Sequence, residues 1–162
     1  MTILDTLDRI GKTTQVKTKA ITHHGVLNEA YEYEKPSSFS RGLRIDLDNV
    51  VILLISGTAS IDEHGVSVHI GDFEAQLRRT YHNITGLLAA EGATWKDIVR
   101  TTCYLRDIER DYETFNRVRT AFFREQGLDP LPASTGIQAI LCRPELLIEI
   151  EAIAMFIPKP KE

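Results

Sequence analysis

The stretch Leu147-Ile-Glu-Ile-Glu-Ala-Ile-Ala-Met155 decides how the chain is organised. Read as a strand, it sends Ile148, Ile150, Ala152 and Ala154 to one face and Glu149, Glu151 and Ile153 to the other. Two carboxylates two residues apart on so apolar a strand must be solvated or paired, because burying a lone carboxylate is costly. In one reading, one of them lines a cleft as an acid, a base or a water-orienting group. In the other, both sit on a wet face or meet arginines across an oligomer interface.

Working outward, Ser134 to Leu141 reads as the preceding strand, behind a loop punctuated by Pro130 and Pro132. Before that loop, Phe115, Val118, Phe122 and Phe123 line the inner face of a helix that Asp111 caps and Gly127 ends. Ile98 to Leu105 is rich in β-branched and aromatic residues and reads as a strand. A longer helix opens at Asp72, with Phe73, Leu77, Thr80, Ile84, Leu87 and Leu88 in one apolar stripe, and closes at Glu91-Gly92. Leu43 to Leu47 alternates, Asp48-Asn49 turns, and Val50 to Ile55 is continuously apolar, which together predict a hairpin whose second strand is central and is interrupted at Gly57. Lys19 to Gly25 reads as a short strand ending in a turn, and Asn28 to Ser40 as polar connection.

The order is that of an α+β domain, a mixed sheet with two helices crossing one face. The uncovered apolar face predicts oligomerisation. Domain organisation divides into an N-terminal extension with the first strand (1–36), the main domain (37–158) and a tail (159–162).

The chain has 162 residues, enough for one domain. A net charge of −4 supplies no broad positive field, so nucleic acid is not an expected partner. The start, with Asp5 and Asp8, has no basic-then-apolar secretory pattern. The longest apolar run, Val50 to Ile55, is far short of the ~20 residues that span a membrane as a helix. Cys103 and Cys142 stand apart, both expected as buried inert thiols in strands, and a reduced cytoplasmic protein is the expectation. His23-His24 would point to opposite faces of a strand, and no partner ligands for a metal can be assigned. Ser56 lacks a nucleophile-elbow pattern and a matching histidine, so a hydrogen-bonding role suits it better than nucleophilic attack.

Six segments occur in one order: Ile55-Ser-Gly-Thr-Ala-Ser60, Gly71-Asp-Phe-Glu-Ala-Gln76, Asp97-Ile-Val-Arg-Thr-Thr102, Tyr112 to Phe123, Pro132-Ala-Ser134 and Ile148-Glu-Ile-Glu-Ala-Ile-Ala154. Taken together, from about residue 37 to 157, the chain resembles the RidA/YjgF family, also called endoribonuclease L-PSP. The resemblance implies a chorismate-mutase-like fold, a homotrimer packed around a central barrel, and clefts between subunits that bind small carboxylic acids. It implies hydrolysis of enamines and imines without metal or cofactor. Carried over by position, Glu149 is the catalytic carboxylate that positions water. Phe39, Ser56 and Asn116 take family cleft positions, and Ser134 stands where the deaminases have the arginine of Pro-Ala-Arg-Ser. A hydroxyl cannot supply a permanent charge and a bidentate fork. The resemblance therefore points to hydrolase or lyase chemistry other than ordinary 2-iminoacid deamination, or to a non-catalytic metabolite-binding or protein-interaction module. Arg41 and Arg143 are the candidates for a substitute cation. Ser56-Gly-Thr-Ala-Ser60 and Ser134-Thr-Gly-Ile-Gln-Ala139 are also similar to the C-terminal part of chorismatases, which implies chorismatase-like activity as a further alternative.

Overall fold

A computed structural model describes residues 16–158, so the start of the N-terminal extension and the 159–162 tail lie outside the described residues. Eight main elements follow in order: β1 (Val16–Ala20), β2 (Gly42–Leu47), β3 (Val50–Ala59), α1 (Phe73–Ala90), β4 (Ile98–Leu105), α2 (Ile108–Glu125), β5 (Ala133–Gln138) and β6 (Ile148–Phe156). They form one six-stranded mixed sheet in the order β1-β2-β3-β6-β4-β5, as the α+β reading expects. Only β4 and β5 run parallel, and α2 makes the crossover between them. The β2–β3 hairpin turns at Asp48-Asn49, with Asp48 in the left-handed region at φ 49°.

The alternation of β6 is realised: Ile148, Ile150, Ala152 and Ala154 are buried, each at 2% exposure or less. They share a core with Val51, Leu53 and Ile55 of β3, Cys103 and Leu105 of β4, the stripe Leu77, Ile84, Leu87 and Leu88 of α1, and Phe115, Val118 and Phe123 of α2. Tyr81 stacks on Phe122 at 4.3 Å between centroids, and Trp95 meets Tyr81 edge-on at 5.4 Å, which packs the middle of α1 against the C-terminal end of α2.

Two expectations are corrected, the cap of α2 and the setting of Cys142. The cap of α2 is Asp107, whose carboxylate accepts from Arg110 N at 3.0 Å; Asp111 lies inside the helix, buried against the Arg110 guanidinium at 2.6 Å. The interruption expected at Gly57 is a bulge, beyond which β3 continues to Ala59. Strand β5 ends at Gln138, so Cys142 sits in a loop and is exposed, whereas Cys103 is buried as expected. Strand β3 is central as expected, and its face away from the helices is open, with Leu54 39% exposed. Leu54 pairs with Leu43 on one side and Ile153 on the other, and Ile52 pairs with Met155, so an apolar face is left open opposite the helices.

Candidate functional site

The bulge in β3 builds the site. Ile55 pairs with Ala152 and Thr58 with Ile150, so Ser56 and Gly57 together oppose the single residue Glu151. The extra residue breaks the ladder beside Glu149. A Cβ on Gly57 would overlap Glu149 Oε1, so glycine makes room for the carboxylate. Ser56 ties the bulge to the preceding segment: its N–H donates to Arg41 O at 3.1 Å and its Oγ donates to Ser40 O at 2.8 Å. These bonds pin the Phe39–Arg41 segment against β3.

Helix α1 holds the surrounding loops in register through two fully buried amides. Asn83 Nδ2 donates to Ala59 O at 3.0 Å and Ile61 O at 2.9 Å. Gln76 Nε2 donates to Glu145 O at 2.9 Å, while Gln76 Oε1 accepts from Leu147 N at 2.8 Å. Arg106 adds bonds to Leu146 O and Arg143 O, each at 2.6 Å. Such buried bonds fix the loop that carries Cys142 and Arg143 and the first residues of β6.

The result is a cavity of about 490 Å³ that brings together Phe39, Arg41, Ser56, Gly57, Arg143 and Glu149. Glu149 is half-buried, and its carboxylate accepts no hydrogen bond among the described residues. Burial, then the neighbouring Glu151 charge, holds its carboxyl above the ordinary carboxylate range. Tyr104 pairs with Glu149 across the β4–β6 ladder. Burial first, then the charge and hydrogen bond of Glu151, and after them the Glu149 charge, raise the pKa of its phenol.

Arg41 is buried, and its guanidinium lies over the rings of Tyr33 and Phe39, 4.9 and 5.3 Å from their centroids. Arg143 enters the cavity from the 139–147 loop, with its Nη1 donating to Gly65 O at 2.6 Å and Ser67 Oγ at 3.1 Å. Within one chain, Asn116 and Ser134 do not join this cavity. Asn116 lies on α2 and Ser134 on the exposed strand β5, and both bond to Arg119: Nη2 to Asn116 Oδ1 at 2.6 Å and Nη1 to Ser134 Oγ at 3.3 Å. Arg119 also stacks over Phe115 at 4.6 Å.

Sequence reasoning missed Tyr33, Tyr104 and Arg119. The signal for Tyr104 was available, since Ile98–Leu105 reads as a strand and an aromatic at its seventh position can reach a cross-strand carboxylate. The other two depend on contacts between distant segments. Among the described residues no group of three or more His, Cys, Asp or Glu side chains is placed to hold a metal ion. No helix among them is long and apolar enough to cross a membrane.

Residues 34–156 match the family described as endoribonuclease L-PSP. The chain belongs to this RidA/YjgF family. It is 36% identical over 107 residues to the 3-aminoacrylate deaminase RutC of Acinetobacter baylyi, spanning 66% of this chain and 79% of that protein. It is 33% identical over 111 residues to the 2-iminobutanoate/2-iminopropanoate deaminase of Salmonella typhimurium, spanning 68% and 83%. The crystal structure of the E. coli YjgF gene product superposes with a TM-score of 0.67 at 29% identity, covering 84% of this chain and 97% of that one. The RidA/YjgF fold expected from the six ordered segments is therefore the fold observed.

Proposed function

We propose that the chain is a cofactor-free hydrolase of small acids bearing an imine or enamine nitrogen, with Glu149 as the proton-transferring carboxylate. The observation that carries this reading is the half-buried, hydrogen-bond-free Glu149 carboxyl, set by the Gly57 gap into a cavity that also holds two arginines. A carboxylate made more basic by burial is a better proton acceptor near neutral pH than a solvated one. In the hydrolytic step the oxygen of water adds to the carbon of the C=N bond. Glu149 takes one proton from that water and passes it to the nitrogen, giving a carbinolamine. Glu149 then removes the hydroxyl proton and delivers it to the leaving nitrogen as the C–N bond breaks, so a carbonyl acid and ammonia depart.

The working unit in this reading is a homotrimer. Two features support it: the apolar face of Leu43, Leu54, Ile153 and Met155, and strand β5, exposed along its whole length. A neighbouring copy that covers β5 would also lie beside the Asn116–Arg119–Ser134 cluster.

The test is ammonia release from imino acids generated in situ by an amino acid oxidase, and from 3-aminoacrylate. Release above the spontaneous rate, lost in Glu149→Gln, supports hydrolysis. Acid binding without release at any substrate supports the metabolite-binding module instead. That second reading is favoured by Arg119 already occupying both Asn116 and Ser134.

A further inference from the structure

Helix α2 carries four arginines, and their partners divide them into two pairs. Arg110 meets the Asp111 carboxylate at 2.6 Å and Arg117 meets Glu74 at 2.6 Å, so each of these has an acidic counter-ion. Arg119 and Arg124 have no such partner among the described residues, and the Arg124 side chain makes no hydrogen bond there either.

These two line a second cavity, of about 420 Å³, beside α2 and the start of β5. Its apolar walls are Phe123, Leu128, Leu131 and Pro132, and no carboxylate lines it. It shares no residue with the cavity of Glu149. Phe123 is buried, whereas Leu131 is 66% exposed, so part of the apolar wall has nothing packed on it.

Arg119 is held in place by neutral groups. Its guanidinium lies over the Phe115 ring at 4.6 Å, Nη2 donates to Asn116 Oδ1 at 2.6 Å and Nη1 donates to Ser134 Oγ at 3.3 Å. These contacts orient the guanidinium without cancelling its charge, and they leave further N–H donors unused. Two uncompensated cations beside one partly desolvated space favour an anion in it, and a guanidinium fork matches a carboxylate. A bare inorganic ion would leave the four apolar residues uncovered. A cavity of this size holds a small organic molecule, whose apolar part would cover them.

We propose that this second cavity binds a small organic acid with an aryl or medium-chain apolar body. Its carboxylate meets Arg119 and Arg124, and its body lies against Phe123, Leu128, Leu131 and Pro132. The site is separate from the chemistry assigned to Glu149 and stands or falls without it.

The experiment is methyl NMR titration of the full chain with hexanoate, phenylacetate, acetate, hexanol and inorganic phosphate. Hexanoate and phenylacetate are expected to shift the methyls of Leu128 and Leu131 and to leave those of Ala59 and Leu146, in the Glu149 cavity, in place. Both acids should bind about tenfold or more tightly than acetate, which lacks the body, and than hexanol, which lacks the charge. Arg119→Gln should weaken hexanoate about tenfold, and Glu149→Gln should leave its affinity within about twofold. Arg124→Gln, at an exposed and unpaired side chain, adds a variant that does not threaten the fold and should weaken hexanoate about threefold or more. Acetate or inorganic phosphate binding as tightly as hexanoate overturns the apolar body as a requirement. Unchanged hexanoate affinity in both arginine variants overturns the anchor. Shifts confined to Ala59 and Leu146 place the acid in the Glu149 cavity, which overturns the second site and leaves the hydrolase reading intact. Binding at Leu128 and Leu131 without any ammonia release supports the second site while the hydrolase reading fails.

Discussion

The carboxylate of Glu149 occupies the space that Gly57 leaves empty: a Cβ at position 57 would overlap Oε1. The φ of Gly57 is not positive, so alanine there meets no backbone strain, and the atom displaced is the end of a flexible side chain. Gly57→Ala should therefore move the carboxylate without unfolding the chain. We expect kcat to fall about 10- to 100-fold, with a stability change below about 1 kcal/mol, from turnover assays and urea titrations run on the same preparation.

The pH dependence of turnover follows from the same carboxyl. Its proton-accepting form is the carboxylate, and burial followed by the Glu151 charge raises its pKa. The acid limb of kcat/KM should lie above the ordinary carboxylate range, with activity lost as pH falls through it. Removing the neighbouring charge in Glu151→Gln should shift that limb to lower pH. A limb that does not move would assign the titration to another group.

Stability carries the complementary signature. With its folded pKa raised above the unfolded value, Glu149 binds more protons in the native state between the two values. Its favourable contribution is present below the unfolded pKa and is lost as pH rises through the folded one. The stability of Glu149→Gln relative to wild type should accordingly increase from acid to neutral pH, read from denaturant midpoints at a series of pH values.

Gln76 offers a purely structural check on how the site is held. It is fully buried and bonds Glu145 O and Leu147 N, the residues leading into β6. Gln76→Ala leaves those backbone groups unpaired and should cost about 2–3 kcal/mol in urea unfolding. Glutamate at this position should not rescue it, because the donor to Glu145 O is lost.

What was legible in the sequence was whatever a single element declares by itself. The period-two pattern of Ile148 to Ala154 named both faces of β6, and the stripe from Phe73 to Leu88 named the buried side of α1. The bulge was not legible, because Ser56-Gly57 becomes an insertion only against its partner Glu151. Asp107 and Asp111 are chemically equal caps, and the pairing of Asp111 with Arg110 decided between them. Arg41 and Arg143 are 102 positions apart in the chain, and only the folded loops show that both face one cavity. Asn116 and Ser134 took site roles from the family resemblance, and within one chain they form their own cluster around Arg119.

The open sheet face gives a prediction about assembly. Leu54 lies between Leu43 and Ile153 on that face. Leu54→Glu would set a charge where the proposed trimer buries apolar surface, at a cost that three copies multiply. Light scattering on the separated protein should give about three chain masses for wild type and one for the variant.

In the proposed reaction Glu149 moves the proton in hydrolysis of a C–N bond. Single-turnover ammonia release by wild type and Glu149→Gln, compared at matched assembly state and matched acid binding, tests it most directly. We expect a variant rate about 100- to 10,000-fold lower. A variant that releases ammonia at the wild-type rate would contradict it.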